Sequence, residues 1–196
     1  MVLHNLAPMP ITPPIVFVPG WRNCGGGHWQ SLWAAPLAGA VRLQLDDWVM
    51  PTRTAWIRAL SRAIQAQPHP VVVVAHSLGC IATVHLPAEV AAQIEGALFV
   101  APVDPERRAV LCDFAPVPCE RLPYRHVVVA GGNDPFCPPR LAAAYARAWG
   151  SEFMRIPDMG DIAVQSGLGE WPLGLALLQS LSGSMTAAPL QGMASR

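Results

Sequence analysis

The sequence lacks the features that mark several functional classes. Its 196 residues include 13 Lys+Arg and 13 Asp+Glu, so no basic field exists to attract nucleic acid or acidic lipid. No apolar run approaches the roughly 20 residues that cross a bilayer. Charged residues make up only 13% and hydrophobic residues 52%, which favours a sheet buried on both faces over disorder. We therefore expect a globular protein that binds neither nucleic acid nor a membrane.

Cysteine is present without the spacing of a metal or disulfide framework. The five cysteines are odd in number and irregularly placed, and no C-x-x-C occurs. This pattern favours reduced thiols in a cytoplasmic protein with no metal and no cofactor. Residues 1–14 hold four prolines and no charged segment followed by an apolar core, so they do not resemble a signal peptide.

Short apolar segments alternate with helical patterns along the chain. The predicted strands are residues 15–18, 41–45, 71–75, 96–100, 127–130 and 153–156. Strand–helix alternation of this kind predicts a parallel, doubly wound α/β sheet with right-handed crossovers. We expect one domain over residues 15–183, between a flexible N-terminal segment (1–14) and a flexible C-terminal tail (184–196).

Helical patterns and one long loop fill the gaps between the predicted strands. After Thr52, a plausible N-cap, the apolar residues Trp56, Leu60 and Ile64 recur on one helix face. The other predicted helices are 78–90 with a break at Pro87, 138–149 closed by Gly150, and about 171–181. Residues 101–125 show no clear periodicity, which indicates a long loop; one short helix within it is the alternative.

The strongest chemical signal is a serine between a buried strand and a helix. Val71–Ala75 leads into Ala75-His76-Ser77-Leu78-Gly79, with small residues two before and two after the serine. A nucleophile elbow needs this arrangement, because the tight turn lifts the serine hydroxyl above the strand end. The alternative is a helix-capping serine, which does not account for His76 and Gly79 together. His76 is expected to point away from Ser77.

The loop after the first strand, Pro19 to Trp29, contains three consecutive glycines. In an acyl-transfer site this loop supplies one oxyanion donor, so we nominate the amide of Trp21 or Arg22 beside that of Leu78. A phosphate-binding loop is the alternative, but neither Gly-x-x-x-x-Gly-Lys-Ser/Thr nor Gly-x-Gly-x-x-Gly is present. His28 borders this loop, and we favour a structural role at a helix start over a catalytic one.

Asp134 follows directly after the predicted strand 127–130. Functional groups in such sheets collect at the carboxyl ends of the strands, where a buried carboxylate orients an imidazole. The alternative is a turn aspartate that caps the next helix, and the two roles are compatible. The chain order serine then aspartate is that of hydrolases of this type.

Several stretches in order resemble the YdeN/RBBP9-like serine hydrolases, small α/β hydrolases without a lid. The similar segments are 18–21, 28–33, 47–48 with Pro51 and Trp56, 74–79, 101–104, 133–135 and 166–172, which together span about residues 15–181. The resemblance implies a three-layer α/β/α fold with about six mostly parallel strands in the order 2-1-3-4-5-6 and no cap domain. It also implies Ser77 as nucleophile, Asp134 as acid and small carboxyl esters as substrates.

One position departs from that family pattern. Where the family carries Gly-His, this chain has Gly160-Asp161, and no histidine follows His126. With an ordinary pKa of about 4, a carboxylate is a weak base for a serine hydroxyl. The sequence thus leaves two hypotheses open: a serine esterase with impaired turnover, and an inactive relative that binds a small ligand or a protein partner.

Overall fold

The computed structural model describes residues 13–23, 25–37, 39–163, 167 and 169–182. Six strands form one parallel sheet in the order β2-β1-β3-β4-β5-β6, as the resemblance implied. The strands are β1 (Ile15–Val18), β2 (Val41–Arg42), β3 (Val71–His76), β4 (Ile94–Val100), β5 (Arg125–Gly131) and β6 (Glu152–Ile156). The predicted terminal segments lie almost wholly outside the described residues.

In the described ranges, six α-helices cover the two faces of the sheet. They are α1 (Trp29–Ala34), α2 (Arg53–Gln65), α3 (Leu78–Val84), α4 (Ala88–Ala91), α5 (Pro139–Trp149) and α6 (Pro172–Leu181). The Thr52 hydroxyl caps α2 by accepting from the amide of Ala55, and left-handed Gly150 ends α5. Pro87 separates α3 from α4, because proline cannot continue the hydrogen-bond ladder of a helix.

The core lies in two layers, one on each side of the sheet. Every residue of β3 is buried, which explains its unbroken apolar run. One layer contains Trp56, Leu60 and Ile64 of α2, the face that the helical spacing predicted. The other layer contains a tryptophan cluster, Trp29, Trp33 and Trp171, beneath α6.

Two local predictions need correction. The second strand stops at Arg42 instead of continuing to residue 45, because it lies at the edge of the sheet and pairs only with β1. Residues 101–125 contain two 3₁₀ helices, Pro105–Arg107 and Ala109–Phe114, where a long loop was expected, with one short helix in it as the alternative. The Asp104 carboxylate starts the first by accepting from the amide of Glu106.

All the segments that the sequence nominated leave the sheet at its carboxyl edge. The glycine loop follows β1, Ser77 follows β3, the 3₁₀ helices follow β4, Asp134 follows β5 and Asp161 follows β6. In open α/β sheets, ligands bind at this edge. In the described ranges no helix is both long enough and apolar enough to cross a membrane.

Candidate active site

Ser77 occupies the sharp turn between β3 and α3, with φ 52° and ψ −118°. Few non-glycine residues adopt this backbone conformation, and such strain persists where surrounding structure maintains it, often at functional sites. Gly79 permits the turn, because a Cβ there would overlap the carbonyl oxygen of Val18. A Cβ on Gly20 would lie only 2.9 Å from the Cβ of Ser77. The two glycines therefore allow the β1 loop to pass close to the serine.

A cavity of about 280 Å³ opens beside Ser77 at the carboxyl edge of the sheet. Of the nominated residues, Ser77, Trp21, His28 and Asp161 line it. Lining side chains from outside the nominated set include His76, Arg108, Leu111 and Phe136. The serine thus borders a small pocket with one cationic and one anionic side chain in its wall.

Backbone amides near the serine differ in their availability. The Arg22 amide donates to the carbonyl of Trp48 at 3.0 Å, and the Ser77 amide donates to a carbonyl of β4 at 2.9 Å. The Leu78 amide is the first of α3, and within the described ranges no carbonyl accepts from it or from the Trp21 amide. Leu78 and Trp21 are therefore the nominated amides that remain available to a ligand oxygen.

Asp134 is not among the residues that line the pocket, and only 8% of its surface is exposed. Its Oδ1 accepts from the amide of Phe136 at 2.7 Å and from that of Cys137 at 3.4 Å. Burial raises the pKa of Asp134 to about 6; these two amides oppose the shift, and the nearby charge of Asp161 adds to it. The two carboxylates are therefore close enough to repel each other.

The loop after β6 presents Asp161 to the pocket and is fastened at three successive residues. Nε2 of His76 donates to the carbonyl of Asp161 at 2.9 Å, because a carbonyl only accepts. Nε1 of Trp29 donates to the carbonyl of the next residue at 2.9 Å. The Gly160 amide donates to Oδ1 of Asn133 at 2.7 Å. Side chains from α1, β3 and the β5 loop therefore fix the position of Asp161.

Two histidines line the pocket, and one differs from expectation. His28 caps α1, its Nδ1 accepting from the amide of Gln30 at 3.2 Å. Burial lowers the pKa of His28 to about 3, and the charges of His76 and Arg42 act in the same direction. His76 borders the same cavity as Ser77 instead of pointing away from it. Burial lowers the pKa of His76 as well, so both imidazoles are uncharged at neutral pH.

Two further histidines, His85 and His126, bond backbone carbonyls away from the pocket. His85 bonds the carbonyl of Phe114 at 2.9 Å, and His126 lies near the amino end of β5 with Nδ1 bonded to the carbonyl of Tyr124. In the part of the chain that the structure describes, no three His, Cys, Asp or Glu side chains cluster as a metal site would require. The groups that border the pocket are a serine hydroxyl, one carboxylate, one guanidinium and two imidazoles, besides the backbone amides.

The fold and the serine turn define an α/β hydrolase, and comparison with known proteins agrees. A model of the serine hydrolase family matches residues 15–180, so the chain belongs to that family. The structure resembles a YdeN-like hydrolase from Pectobacterium atrosepticum, with a TM-score of 0.78 and 27% identity over 87% of this chain and 93% of that one. No curated protein matches the sequence.

More distant structures share the fold. The ydeN gene product of B. subtilis has a TM-score of 0.72 and 20% identity, covering 87% of this chain and 98% of that one. Est1E from Butyrivibrio proteoclasticus has a TM-score of 0.62 and 11% identity, covering 89% of this chain and 87% of that one. The chain is accordingly a YdeN-like serine hydrolase in its family and architecture.

Proposed function

We propose that this protein is a carboxylesterase-like hydrolase that cleaves small acyl esters through Ser77, with turnover limited by Asp161 at the position of the base. One observation carries the proposal: Ser77 has a strained backbone at the start of α3 and lines a pocket that Asp161 also lines. A cavity of about 280 Å³ has room for a small acyl group. We further propose a cytoplasmic protein whose partner is this small ester.

The reaction follows from the groups around the serine. Ser77 Oγ attacks the ester carbonyl, and the amides of Leu78 and Trp21 donate to the oxyanion that develops. The alcohol leaves as the acyl-serine forms, and water then hydrolyses the acyl-serine to release the acid. Asp161 takes the serine proton and returns it to the leaving alcohol.

Asp161 is a poor base for this step. A carboxylate with an ordinary pKa near 4 binds the serine proton weakly at neutral pH, so little driving force exists for proton transfer. Asp134, which would orient and charge-stabilise an imidazole, instead faces a second carboxylate. Neither His28 nor His85 compensates, because burial lowers the pKa of His28 to about 3 and His85 does not line the pocket. We therefore expect acylation that is slow but measurable.

The test uses the full chain with a fluorophosphonate probe and 4-nitrophenyl butyrate. The probe should label Ser77, and Ser77→Ala should abolish both labelling and turnover. Asp161→His should raise kcat/KM by about 10²- to 10⁴-fold, the usual contribution of a positioned general base. Asp158→His is the matched control, since Asp158 is an exposed aspartate on the same loop and does not line the pocket.

The second candidate function is a hydrolase-like binding protein, and the carboxylate at position 161 favours it. If neither the chain nor Asp161→His reacts with the probe or the ester, the binding protein is the better description. If the unaltered chain turns over rapidly and Asp161→His changes nothing, the base lies elsewhere and the assignment of Asp161 is wrong.

A further inference from the structure

Arg108 brings a positive charge to the wall of the pocket, and ester hydrolysis as proposed has no use for it. Its guanidinium carbon lies 4.7 Å from the ring centroid of Phe136 and 5.7 Å from that of Trp21. Both rings also line the pocket. Aromatic faces therefore hold this cation in the wall of the pocket that Ser77 borders.

Arg108 differs from the neighbouring arginine in its ionic contacts. Arg107 pairs with Asp104 at 3.5 Å and also contacts the carbonyl of Pro135. Across the described ranges, no carboxylate lies within ion-pair distance of Arg108. An exposed guanidinium with no protein carboxylate can accept an anion from a ligand.

The aromatic contacts prepare Arg108 for such a ligand. The ring of Trp21 is anchored by its own bond, in which Nε1 donates to the carbonyl of Val49 at 2.9 Å. Stacking on a fixed ring restricts the arginine before binding, so less conformational entropy is lost when a ligand is bound. A guanidinium stacked by its face keeps its N–H edge available, and that edge matches the two oxygens of a carboxylate.

The two opposite charges that line the pocket also favour one orientation of an anionic substrate. Asp161 and Arg108 both line the pocket: the carboxylate of Asp161 repels an anion, whereas the guanidinium of Arg108, which lies over the rings of Trp21 and Phe136, attracts one. An anionic group therefore takes the Arg108 side while the ester carbonyl meets Ser77. The chain has no net charge, so this attraction is local to the pocket.

We infer that Arg108 is a specificity determinant that selects small esters with a carboxylate at the end of the acyl group distant from the scissile bond. This inference rests on the proposed function of Ser77. It names a substrate class, the half-esters of short dicarboxylic acids, in place of simple fatty acyl esters.

The test compares two esters of equal chain length, the 4-nitrophenyl half-ester of adipic acid and 4-nitrophenyl hexanoate. Rates are measured on the full chain and on Asp161→His, with Ser77→Ala subtracted as the blank. We expect kcat/KM to favour the half-ester, and Arg108→Gln to reduce that preference about tenfold through KM, as for one charge-assisted hydrogen bond at a partly solvated site. Arg147→Gln is the control for net charge, because Arg147 is exposed near the end of α5 and does not line the pocket.

The outcomes separate this inference from the proposed function. The role of Arg108 is overturned if both esters are hydrolysed equally well, or if Arg108→Gln leaves the preference for the half-ester intact. In either case Ser77 remains the nucleophile. If neither ester is hydrolysed, the proposed function fails and calorimetry decides the role of Arg108. Monomethyl adipate should then bind more tightly than dimethyl adipate, and only Arg108→Gln should remove the difference; equal binding of the two overturns the inference.

Discussion

His76 and Asp161 are joined by a hydrogen bond in which Nε2 of the imidazole donates to the backbone carbonyl oxygen at 2.9 Å. The bond connects the residue before Ser77, the proposed nucleophile, to the loop that carries Asp161, the carboxylate at the proposed base position. One contact thus joins the elbow of Ser77 to the backbone of Asp161 across 85 residues of sequence. The loop has no regular secondary structure of its own, so contacts of this kind determine where Asp161 points.

Removing this contact should weaken the protein and release the loop. His76→Phe leaves a carbonyl without its donor, so we expect the free energy of unfolding to fall by about 1–3 kcal/mol. Hydrogen exchange at Gly160 and Ile162 should become faster. The measurements are urea denaturation and amide exchange followed by NMR.

His85→Phe is the matched control for that experiment. It removes a bond of the same type and length, from Nε2 to the carbonyl of Phe114, outside the pocket. The stability loss should be comparable, while exchange at Gly160 and Ile162 stays at the level of the unaltered chain. Equal exchange at these two amides in both variants would contradict the positioning role of His76.

The glycines of the turn give a second prediction. In Gly79→Ala the new methyl group meets the carbonyl of Val18 and approaches that of Pro19 to 2.8 Å. Backbone groups of a central strand cannot rotate aside, so we expect a loss of about 3 kcal/mol in unfolding free energy. Gly26→Ala, where nothing lies within 4 Å, should change it by less than about 0.5 kcal/mol. Similar losses in urea denaturation of the two variants would disprove the close approach.

Much of this architecture could be predicted because its signals are local. The unbroken valine run of β3, the apolar spacing of α2 and the small residues around Ser77 each depend on neighbours within a few positions. Parallel strands joined by helices then bring Ser77, Asp134 and Asp161 to one edge without further information. The strand order itself was implied by the family resemblance.

The features that the sequence did not predict depend on contacts between distant segments of the chain. The Trp29 bond to the Asp161 loop spans 133 residues, and nothing in the spacing of either segment indicates it. Arg108 lies between the two 3₁₀ helices and lines the pocket. The sequence of this segment has no periodicity, so it indicated a loop and gave no sign of a pocket residue. The hydrogen bond from the Arg22 amide to the carbonyl of Trp48 is likewise a tertiary contact.

The raised pKa of Asp134, about 6 against 3.8 when unperturbed, predicts a pH dependence of stability. The folded protein holds this proton more tightly than the unfolded chain. The stabilisation from Asp134 is therefore complete below about pH 3.8 and is lost as the pH rises through about 6. Asp134→Asn stays neutral at every pH, so it should gain stability relative to the unaltered chain between pH 4 and pH 7.

Urea denaturation at several pH values between 4 and 7 measures this difference directly. Asp161→Asn removes the neighbouring charge and should lower the pKa of Asp134, which moves the loss of stability to lower pH. A carbon-13 NMR titration of the Asp134 carboxyl reports the same shift. An identical pH profile in the unaltered chain and in Asp134→Asn would show that this carboxyl is not perturbed.

The last prediction concerns the coupling of Asp134 to the base position. With Asp161 in place, the Asp134 carboxylate has no imidazole to orient, so Asp134→Asn should change ester turnover by less than about threefold. In the Asp161→His background the same change should lower kcat by about 10³-fold or more, because an asparagine favours the wrong imidazole tautomer. A double-mutant cycle on kcat with 4-nitrophenyl butyrate measures this non-additivity. Equal effects of Asp134→Asn in the two backgrounds would remove Asp134 from the catalytic arrangement, since an orienting carboxylate acts only through the histidine it orients.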